Sequence, residues 1–366
     1  MESWSIKMTI VIIANNSNGL YLFRRQLISA LVEKGHHVVA LTPFDTDVDN
    51  LEKLGIQLVE TPIDRRGTNP ITDYSLFKLY YKTLKENKPD LVITYTIKPN
   101  VYGGIACKRL GIPYAVNITG LGTAFEGKGL LKKTATILNK AALKAAKVVF
   151  FENSYNRDLF VDMRIVNKEK THVLHGAGVD LEYFSYQEYP DNRTFRYLFI
   201  GRVMREKGIN ELIESMKKLI TEGFKCSLDI LGHYEEDYKE TIQAGEKDGW
   251  LKYHGNQPDV RPFIADSDCF VLPSYHEGMA NTNLECASSG RPIITTDIPG
   301  CREAVINGKT GILCKPKDVD SLYHAMKRMA ETDKEVRINM GIEGRKHMEE
   351  IFDKKKVVKE TIYQLF

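Results

Sequence analysis

Short apolar runs alternate with longer amphipathic segments along almost the whole chain. In the first half, the runs that predict buried strands are residues 9–14, 37–42, 56–60, 91–95, 114–118 and 148–151. In the second half they are residues 197–201, 226–231, 250–253, 269–272, 292–295 and 312–314. Because strand-like runs separated by helical segments are typical of βαβ units, the pattern predicts an α/β protein with parallel sheets.

The two sets of runs are separated by residues 178–194, which are rich in aromatic and polar side chains and fit an interdomain connection. A chain of 366 residues is long enough for two domains, each with its own core. Ligands of open α/β sheets collect beyond the carboxyl ends of the strands. Two facing domains therefore predict a cleft between them.

Composition is that of a soluble globular protein. The apolar run Met8–Ile13 is too short to span a membrane and lacks a cleavage site, and no later segment is long and apolar enough. The six cysteines show no C-x-x-C pair and mostly lie within apolar runs. They predict reduced core thiols in a cytoplasmic protein, neither a disulfide framework nor a zinc site.

Charge is distributed unevenly along the chain. Residues 1–180 carry a net charge of +7 and the remainder carries −4. Such asymmetry is typical of proteins that meet nucleic acid, an anionic membrane or a polyanionic ligand. Because no basic stripe with interleaved aromatic residues occurs, nucleic acid is not an expected partner.

The segment 273–285 holds two acids, Glu277 and Glu285, eight residues apart. Glu277 follows an apolar run, and Thr282 to Glu285 form a capping-box pattern that predicts a helix with Glu285 in its first turn. The helix amino terminus between the acids would suit a phosphate, and the carboxylates would suit sugar and ribose hydroxyls. Alternatively, Glu285 only caps its helix and Glu277 is a solvated loop charge.

The downstream residues extend this pattern with a small-residue helix, a G-x-P strand and a G-x-x-G-x-L-x-x-P ending at Gly308 to Pro316. The whole run resembles the donor-binding half of the retaining glycosyltransferases of family four, and the resemblance covers nearly the whole chain. It implies the GT-B fold, with two Rossmann-like parallel-sheet domains facing across a cleft. Residues 1–178 would bind the acceptor and 179–350 the nucleotide sugar, while a final helix at 351–366 would cross back to the first domain.

The segment Gly201–Gly208 places two cations at a strand's carboxyl end beside a glycine turn, an arrangement that suits a diphosphate or is simply a solvated loop. The resemblance implies that Arg202 and Lys207 are catalytic, because they match the family's diphosphate-binding arginine and lysine. They would compensate the charge on the leaving group as a metal does elsewhere. Glu277 would hold the donor sugar and steady its developing positive charge.

The resemblance implies further donor contacts. Gly19, in a loop before a helix predicted to begin near Leu20, matches the family's glycine loop. Gly232, His254 and Gly255 follow strand ends and either wall the base and ribose or are simple turns. The acid segment contributes Glu277, Gly278, Met279, Ala280, Asn281, Thr282, Asn283, Leu284 and Glu285. Relatives often have proline at the position of Ala280, which leaves the rigidity of this loop open.

Residues 96–103 and 117–122 resemble a narrower subgroup, the bacterial transferases that extend sugars on undecaprenyl diphosphate, including N-acetylgalactosaminyl transferases. The acceptor contacts that this implies are Lys98, Asn100, Asn117, Thr119 and Gly120. Lys98 either meets an acceptor phosphate or is a surface lysine. Many relatives have histidine where this chain has Thr119. This chain therefore lacks that imidazole, and no histidine base is expected. The implied mechanism is a same-face transfer in which the leaving phosphate helps to deprotonate the acceptor.

Residues 127–147 predict a basic amphipathic helix, in which Lys133, Lys140, Lys144 and Lys147 share one face by helical spacing. Such a helix either lies on anionic lipid or presents a solvated outer face.

Together the residues and the resemblance imply a retaining hexosyltransferase on the cytoplasmic face of the membrane, peripherally associated with it. It would move a hexose or N-acetylhexosamine from UDP to a polyprenyl-diphosphate-linked saccharide for cell-surface glycan assembly. No metal or other cofactor is expected, because the expected cleft has no D-x-D pair and no His or Cys cluster. The rival interpretations are a UDP-sugar 2-epimerase of similar fold and a non-catalytic protein that binds nucleotide sugars.

Overall fold

The computed structural model describes residues 6–64, 67, 69–122, 125, 129–191 and 194–366 of the chain. The chain divides into two compact units. The first comprises Met1–Ala177 together with Lys355–Phe366, and the second comprises Gly178–Lys354. Each unit contains one parallel β-sheet with helices around it, which confirms the α/β class predicted from the alternation of apolar runs.

The first unit is built on a seven-stranded sheet of order β3-β2-β1-β4-β5-β6-β7, in which all neighbouring strands run parallel. Its strands are β1 (Thr9–Ile13), β2 (His37–Thr42), β3 (Gln57–Glu60), β4 (Leu91–Tyr95), β5 (Tyr114–Ile118), β6 (Val148–Phe151) and β7 (Thr171–Val173). Its helices are α1 (Ser17–Glu33), α2 (Val48–Glu52), α3 (Pro70–Asn87), α4 (Gly104–Leu110), α5 (Leu130–Leu143) and α6 (Ser154–Asp162).

Successive residues of a strand point to opposite faces of the sheet. In β1, Ile10 and Ile12 pack into one apolar cluster with α1 and α2, and Val11 and Ile13 pack into another with α3, α4, α5 and α6. All four side chains are completely buried. Because both faces are covered, the central strands read as continuous apolar runs, which is why the sequence predicts them well.

The second unit contains a six-stranded parallel sheet of order β10-β9-β8-β11-β12-β13. Its strands are β8 (Phe195–Ile200), β9 (Cys226–Leu231), β10 (Leu251–Gly255), β11 (Cys269–Leu272), β12 (Ile293–Thr296) and β13 (Gly311–Cys314). Its helices are α7 (Ile209–Thr221), α8 (Lys239–Lys247), α9 (Arg261–Asp266), α10 (Asn281–Ser288), α11 (Val319–Glu331) and α12 (Lys334–His347). All six cysteines of the chain are buried and free of disulfides.

The last helix, α13 (Lys354–Leu365), packs its apolar side onto the first unit. Val357 and Leu365 join the cluster that contains Ile10 and Ile12. The ammonium of Lys147 donates a hydrogen bond of 2.7 Å to the carbonyl of Leu365. Hydrophobic burial and this polar contact together fix the end of the chain on the first sheet.

Each sheet has one point at which the order of its strands reverses. It lies between β1 and β4 in the first unit and between β8 and β11 in the second. The connections after the two strands leave in opposite directions there, so a crevice opens beyond their carboxyl ends. The candidate residues that follow these four strands are Gly19 after β1, Lys98 after β4, Arg202 and Lys207 after β8, and Glu277 after β11.

Candidate active site

The second unit brings its basic loop and its acid loop together at the reversal point. β8 runs into the 3₁₀ turn Arg205–Lys207, and β11 runs into the loop that contains Glu277. The Lys207 ammonium forms an ion pair with Glu277 Oε1. Only 13% of the Glu277 side chain and 18% of that of Lys207 are exposed, so water screens this pair less than a surface pair.

Main-chain and side-chain hydrogen bonds hold the acid loop against the basic loop and the helix that follows it. The Tyr275 N–H donates to the Glu206 carbonyl at 2.9 Å, and the Tyr275 hydroxyl donates to Glu211 Oε1 at 2.8 Å. Gly208, in the basic loop, has φ +75°, and a Cβ there would lie 2.2 Å from the carbonyl oxygen of Pro273 in the acid loop. Only glycine fits this close approach. The pairing of cation and acid is therefore built into the fold of this unit.

Arg202 lies in the same basic loop but does not share the Glu277 contact. Its guanidinium is 3.6 Å from Glu235 Oε2, and 43% of its side chain is exposed. Glu235 also lies 3.2 Å from His233 Nε2. A long and exposed contact of this kind contributes little to stability, which leaves the guanidinium able to bind an anionic ligand.

Gly232, His254 and Gly255, which are predicted to contact the base and ribose, have different surroundings. Gly232 has φ +132°, and a Cβ there would lie 1.9 Å from the Gly201 carbonyl oxygen, so the ends of β9 and β8 touch at two glycines. The His254 imidazole instead contacts Asp229 Oδ1 at 2.5 Å and lines a cavity of about 370 Å³ between the sheet face and α9. Neither Arg202 nor Glu277 lines that cavity. Gly255, at φ +65°, ends β10.

The capping-box prediction for α10 was wrong. The helix begins at Asn281 with Ala280 at its N-cap position, and among the described side chains none caps it. The Ala280 N–H donates to the Gly300 carbonyl at 2.8 Å, and this tertiary contact sets where the helix starts. Glu285 therefore lies in the second turn instead of the first. Proline at position 280 would lack this N–H, so alanine fixes the loop by a hydrogen bond.

Half of the side chains in the acid segment are buried. Met279 and Ala280 are nearly inaccessible, and Asn283 and Leu284 are completely so. The Asn283 amide donates to Thr295 Oγ1 at 3.2 Å, which ties α10 to β12. Side chains at these positions therefore support the loop from within. The other members of the segment, Gly278, Asn281 and Thr282, follow Glu277 directly or open the helix.

Glu285 is half-buried, and burial raises the pKa of its carboxyl to about 7, while the ammonium of Lys354 acts in the opposite direction. The ordinary value is 4.5. Between these two pH values the unfolded chain ionises while the folded protein retains the proton, so this group lowers stability as pH rises. The loss is complete above pH 7 and absent below pH 4.5.

We therefore expect Glu285→Gln to raise the melting temperature at pH 8, because glutamine keeps the shape without the buried charge. The advantage should shrink as the pH falls toward 5. Thermal melts of both proteins across this range provide the measurement. A parent that is the more stable protein at pH 8 would show that the carboxylate is stabilised by its surroundings.

The first unit also carries a pocket at its reversal point. A cavity of about 230 Å³ is lined by Asn15, Ile63, Thr96, Ile97, Lys98, Thr119, Gly120 and Gly122. Three of the five predicted acceptor residues, Lys98, Thr119 and Gly120, thus come together although they lie in separate segments. Thr96 adopts φ +71°, which is unusual and strained for a β-branched residue. Such strain is often found where a fold positions a ligand site.

Lys98 does not extend freely from this pocket. Its ammonium is 2.7 Å from Asp73 Oδ1 in α3, and the hydroxyl of Tyr102 donates to the other oxygen of the same carboxylate at 2.8 Å. Burial and the Asp73 carboxylate raise the pKa of Tyr102. Asp73 is a site residue that the sequence analysis missed, because nothing local in helix α3 marks it.

The two asparagines predicted to bind acceptor connect β5 to β4 and to the helical turn that follows β4. Asn100 and Asn117 are both almost fully buried. The Asn100 amide donates to the Asn117 carbonyl at 2.8 Å, and the Asn117 amide donates to the Thr94 carbonyl at 3.2 Å. These bonds hold the carboxyl ends of β4 and β5 together. Neither asparagine is among the residues that line the cavity.

Gly19 lies inside a helix, contrary to the predicted loop position. Helix α1 begins at Ser17, and the Asn16 side chain accepts from the Gly19 N–H as its N-cap. A Cβ at Gly19 would lie 2.5 Å from Asn16 Oδ1. The glycine is thus required by the cap, and its N–H is already engaged.

The predicted basic helix spans less than expected, as α5 covers Leu130–Leu143. Gly127, Lys128 and the side chains of Leu130 and Leu131 lie outside the described residues. Lys133, Lys140 and Lys144 are exposed, and Ile137 between them is 60% exposed. Among the described helices, none has the length and hydropathy of a membrane span. No group of three or more His, Cys, Asp or Glu side chains suited to a metal occurs in the described ranges.

Comparison with known families gives two matches that together cover most of the chain. Residues 19–177 match the family described as Glycosyl transferase 4-like domain. Residues 194–332 match Glycosyl transferases group 1. The first match lies within the unit that holds Lys98, and the second covers Arg202, Lys207 and both acids.

Two bacterial relatives match over much of their length. One is the N,N'-diacetylbacillosaminyl-diphospho-undecaprenol alpha-1,3-N-acetylgalactosaminyltransferase of Campylobacter jejuni, 27% identical over 91% of this chain and 92% of its own. The other is the Escherichia coli UDP-Gal:alpha-D-GlcNAc-diphosphoundecaprenol alpha-1,3-galactosyltransferase, 28% identical over 73% of each chain.

Solved structures show the same fold. Anabaena HepE in complex with UDP and glucose superimposes with a TM-score of 0.82 at 18% identity, covering 98% of this chain and 99% of its own. A glycosyltransferase from Rickettsia africae superimposes with a TM-score of 0.78, also at 18% identity, covering 98% and 97%. With two parallel-sheet units of this architecture and matches to both halves, the chain belongs to the group 1 and 4-like glycosyltransferases and has the GT-B fold.

Proposed function

We propose that the chain is a retaining glycosyltransferase of family four. It moves a hexose or N-acetylhexosamine from UDP to a saccharide carried on polyprenyl diphosphate. The observation that carries this proposal is the Lys207–Glu277 ion pair at the reversal point of the second sheet. The names of the Campylobacter and Escherichia relatives support the lipid-linked acceptor, and the latter supports a UDP donor.

The basic loop provides charge for the departing diphosphate. Arg202 is substantially exposed and weakly paired, and Lys207 has two further N–H donors besides the one aimed at Glu277. When the bond between the sugar and UDP breaks, negative charge accumulates on the leaving phosphate oxygens. The two cations stabilise that charge more than they stabilise the bound substrate, which lowers the barrier.

Glu277 serves the sugar side of the same bond. Its Oε1 accepts from Lys207 and from the Ser274 hydroxyl, and no described group is hydrogen-bonded to Oε2. That second oxygen can accept a hydrogen bond from a hydroxyl of the donor sugar. The carboxylate also stabilises the positive charge that develops on the ring as UDP leaves. The acceptor attacks from the face that UDP leaves, and a leaving-phosphate oxygen takes its proton, so the configuration is retained.

The pocket of the first unit binds the acceptor. Lys98 remains a donor, because an ammonium carries three N–H groups and Asp73 takes one. The Asp73 carboxylate offsets the positive charge of Lys98. Lys98 is therefore better suited to donate a hydrogen bond to an oxygen of the acceptor than to bind a diphosphate alone. Thr119 and Gly120 line the same cavity.

Turnover is expected to be independent of divalent metal ions, because the two cations already compensate the diphosphate. Incubation with EDTA followed by dialysis should leave the rate of UDP release unchanged. Loss of activity that only magnesium or manganese restores would contradict this part of the proposal.

The exposed lysines of α5 and the exposed Lys144 directly after it hold the first unit on the anionic cytoplasmic face of the membrane, where the acceptor's lipid is embedded. Each lysine contributes about 1 kcal/mol near such a surface. Changing Lys133, Lys140 and Lys144 together to Glu is expected to release the protein from anionic liposomes. Transfer to a long-chain acceptor should slow, while transfer to a short water-soluble acceptor should not.

A matched control changes three exposed lysines of the second unit, Lys217, Lys239 and Lys247, to Glu, since it alters net charge equally. Flotation with liposomes at low and moderate salt compares the proteins, because screening weakens this attraction as salt rises. If both triple variants bind liposomes as the parent does, α5 is a solvated face and another surface meets the membrane.

A donor screen tests the proposed function. UDP-glucose, UDP-galactose and their N-acetylated forms are incubated separately with the protein, and slow hydrolysis to UDP is followed by mass spectrometry. We expect one of them to be hydrolysed, and faster once lipid-linked acceptor is present. Conversion of a UDP-sugar into its isomer without release of UDP would identify an epimerase. Binding without any reaction would identify a non-catalytic protein.

A further inference from the structure

We propose that Ser274 and Thr296 are positioning residues that fix the Glu277 carboxylate through a buried chain of two hydroxyl groups. The Ser274 hydroxyl donates to Glu277 Oε1 at 2.8 Å. The Thr296 hydroxyl in turn donates to the main-chain carbonyl of Ser274 at 2.5 Å. This inference rests on the proposed function, in which Glu277 faces the donor sugar.

Burial makes these two hydrogen bonds fixed features of the fold. Ser274 and Thr296 are both completely inaccessible to solvent, so water cannot replace either partner. Thr296 ends β12, which pairs with β11 immediately before the acid loop. The chain of contacts thus runs from the rigid sheet through the loop backbone to the carboxylate. Neighbouring Thr295 bonds the Leu272 carbonyl instead and is not part of this chain.

Lys207 cannot hold Glu277 alone during the reaction. In the structure its ammonium contacts Glu277 Oε1, but in the proposed mechanism the same ammonium must also bind the leaving diphosphate. As negative charge grows on that diphosphate, the lysine is drawn toward it. Ser274, unlike Lys207, does not bind the diphosphate in this mechanism. Its hydroxyl therefore keeps Glu277 Oε1 in place and Oε2 directed at the sugar. Its contribution should be largest in the transition state.

The expected consequence is a loss in kcat with little change in KM. A hydrogen bond to a charged group that stabilises the transition state more than the bound substrate corresponds to roughly a tenfold to hundredfold change in rate. Ser274→Ala should lower kcat for UDP release by that factor. Thr296→Val, which keeps the shape of the side chain, should lower it by about tenfold, because the loop carbonyl loses its anchor.

The test measures kcat and KM for UDP release from the UDP-sugar that the donor screen selects, together with melting temperatures. The variants are Ser274→Ala, Thr296→Val, their combination, and Glu277→Gln. The matched control is Ser215→Ala, which removes another completely buried serine hydroxyl, bonded at 3.2 Å to the Val319 carbonyl in α11. The control should lose stability like Ser274→Ala and keep its kcat.

Because Thr296 acts through Ser274, the double variant should be no slower than Ser274→Ala alone, which a general loss of stability would not produce. Normal kcat in Ser274→Ala or Thr296→Val beside a large loss in Glu277→Gln would overturn the positioning role and leave the proposed function intact. Normal kcat in Glu277→Gln would instead remove Glu277 from the chemistry. If Ser274→Ala does not fold, the kcat of Thr296→Val decides alone.

Discussion

Replacing Arg202 or Lys207 by alanine is expected to cut turnover by roughly a hundredfold or more, the scale of losing one electrostatic stabiliser of a transition state. The physical reason is that each cation compensates charge that appears on UDP only as the sugar leaves. Binding of UDP should weaken less than kcat falls. The measurement is kcat and KM for UDP release, with calorimetric titration of UDP.

The two variants should differ in stability. Arg202 is exposed and only weakly paired with Glu235, so its loss should leave the melting temperature unchanged. Removal of Lys207 leaves the largely buried Glu277 without its ionic partner, so Lys207→Ala should lower the melting temperature. Lys217→Ala, at an exposed lysine of α7, controls for charge alone. Near-normal turnover in both Arg202→Ala and Lys207→Ala would exclude the two cations from the mechanism.

The second large effect separates the two glutamates. Glu277→Gln is expected to lower kcat strongly, because an amide cannot stabilise positive charge on the sugar ring as a carboxylate does. Glu285→Gln should mainly raise KM for the donor, since this acid is proposed to face the ribose. Steady-state kinetics over a range of donor concentrations distinguishes the two.

Because Glu285 lies in the second turn of α10, it is not placed to cap the amino terminus of that helix. A residue that only capped the helix would change stability alone and leave both kinetic constants intact. If both glutamine variants show normal kcat and KM, neither acid contacts the donor.

The sequence predicted most strands because the central ones are buried on both faces and so read as unbroken apolar runs. Strand β7 escaped prediction, since Thr171 to Val173 lie half-exposed at the sheet edge and form no such run. The capping-box pattern at Thr282 misplaced the start of α10, because the contact between Ala280 and Gly300 outweighs the local signal.

Motifs identified Lys207 and Glu277, but the contacts that hold the candidate site were out of reach. Asp73 reaches Lys98 across 25 residues, and Thr296 reaches Ser274 across 22. Each partner lies on a different element, and its spacing follows from the fold and not from any local period. Such pairs carry no pattern that one sequence can reveal.

The most direct test of the central claim is the stereochemistry of transfer to a polyprenyl-diphosphate-linked saccharide. The protein is incubated with the selected UDP-sugar and the lipid-linked acceptor, and the anomeric coupling constant of the new linkage is read by proton NMR. We expect a lipid-linked saccharide extended by one sugar, which keeps the α configuration of the donor and is formed with stoichiometric release of UDP. A β-linked product, or consumption of the UDP-sugar with no sugar added to the lipid, would contradict it.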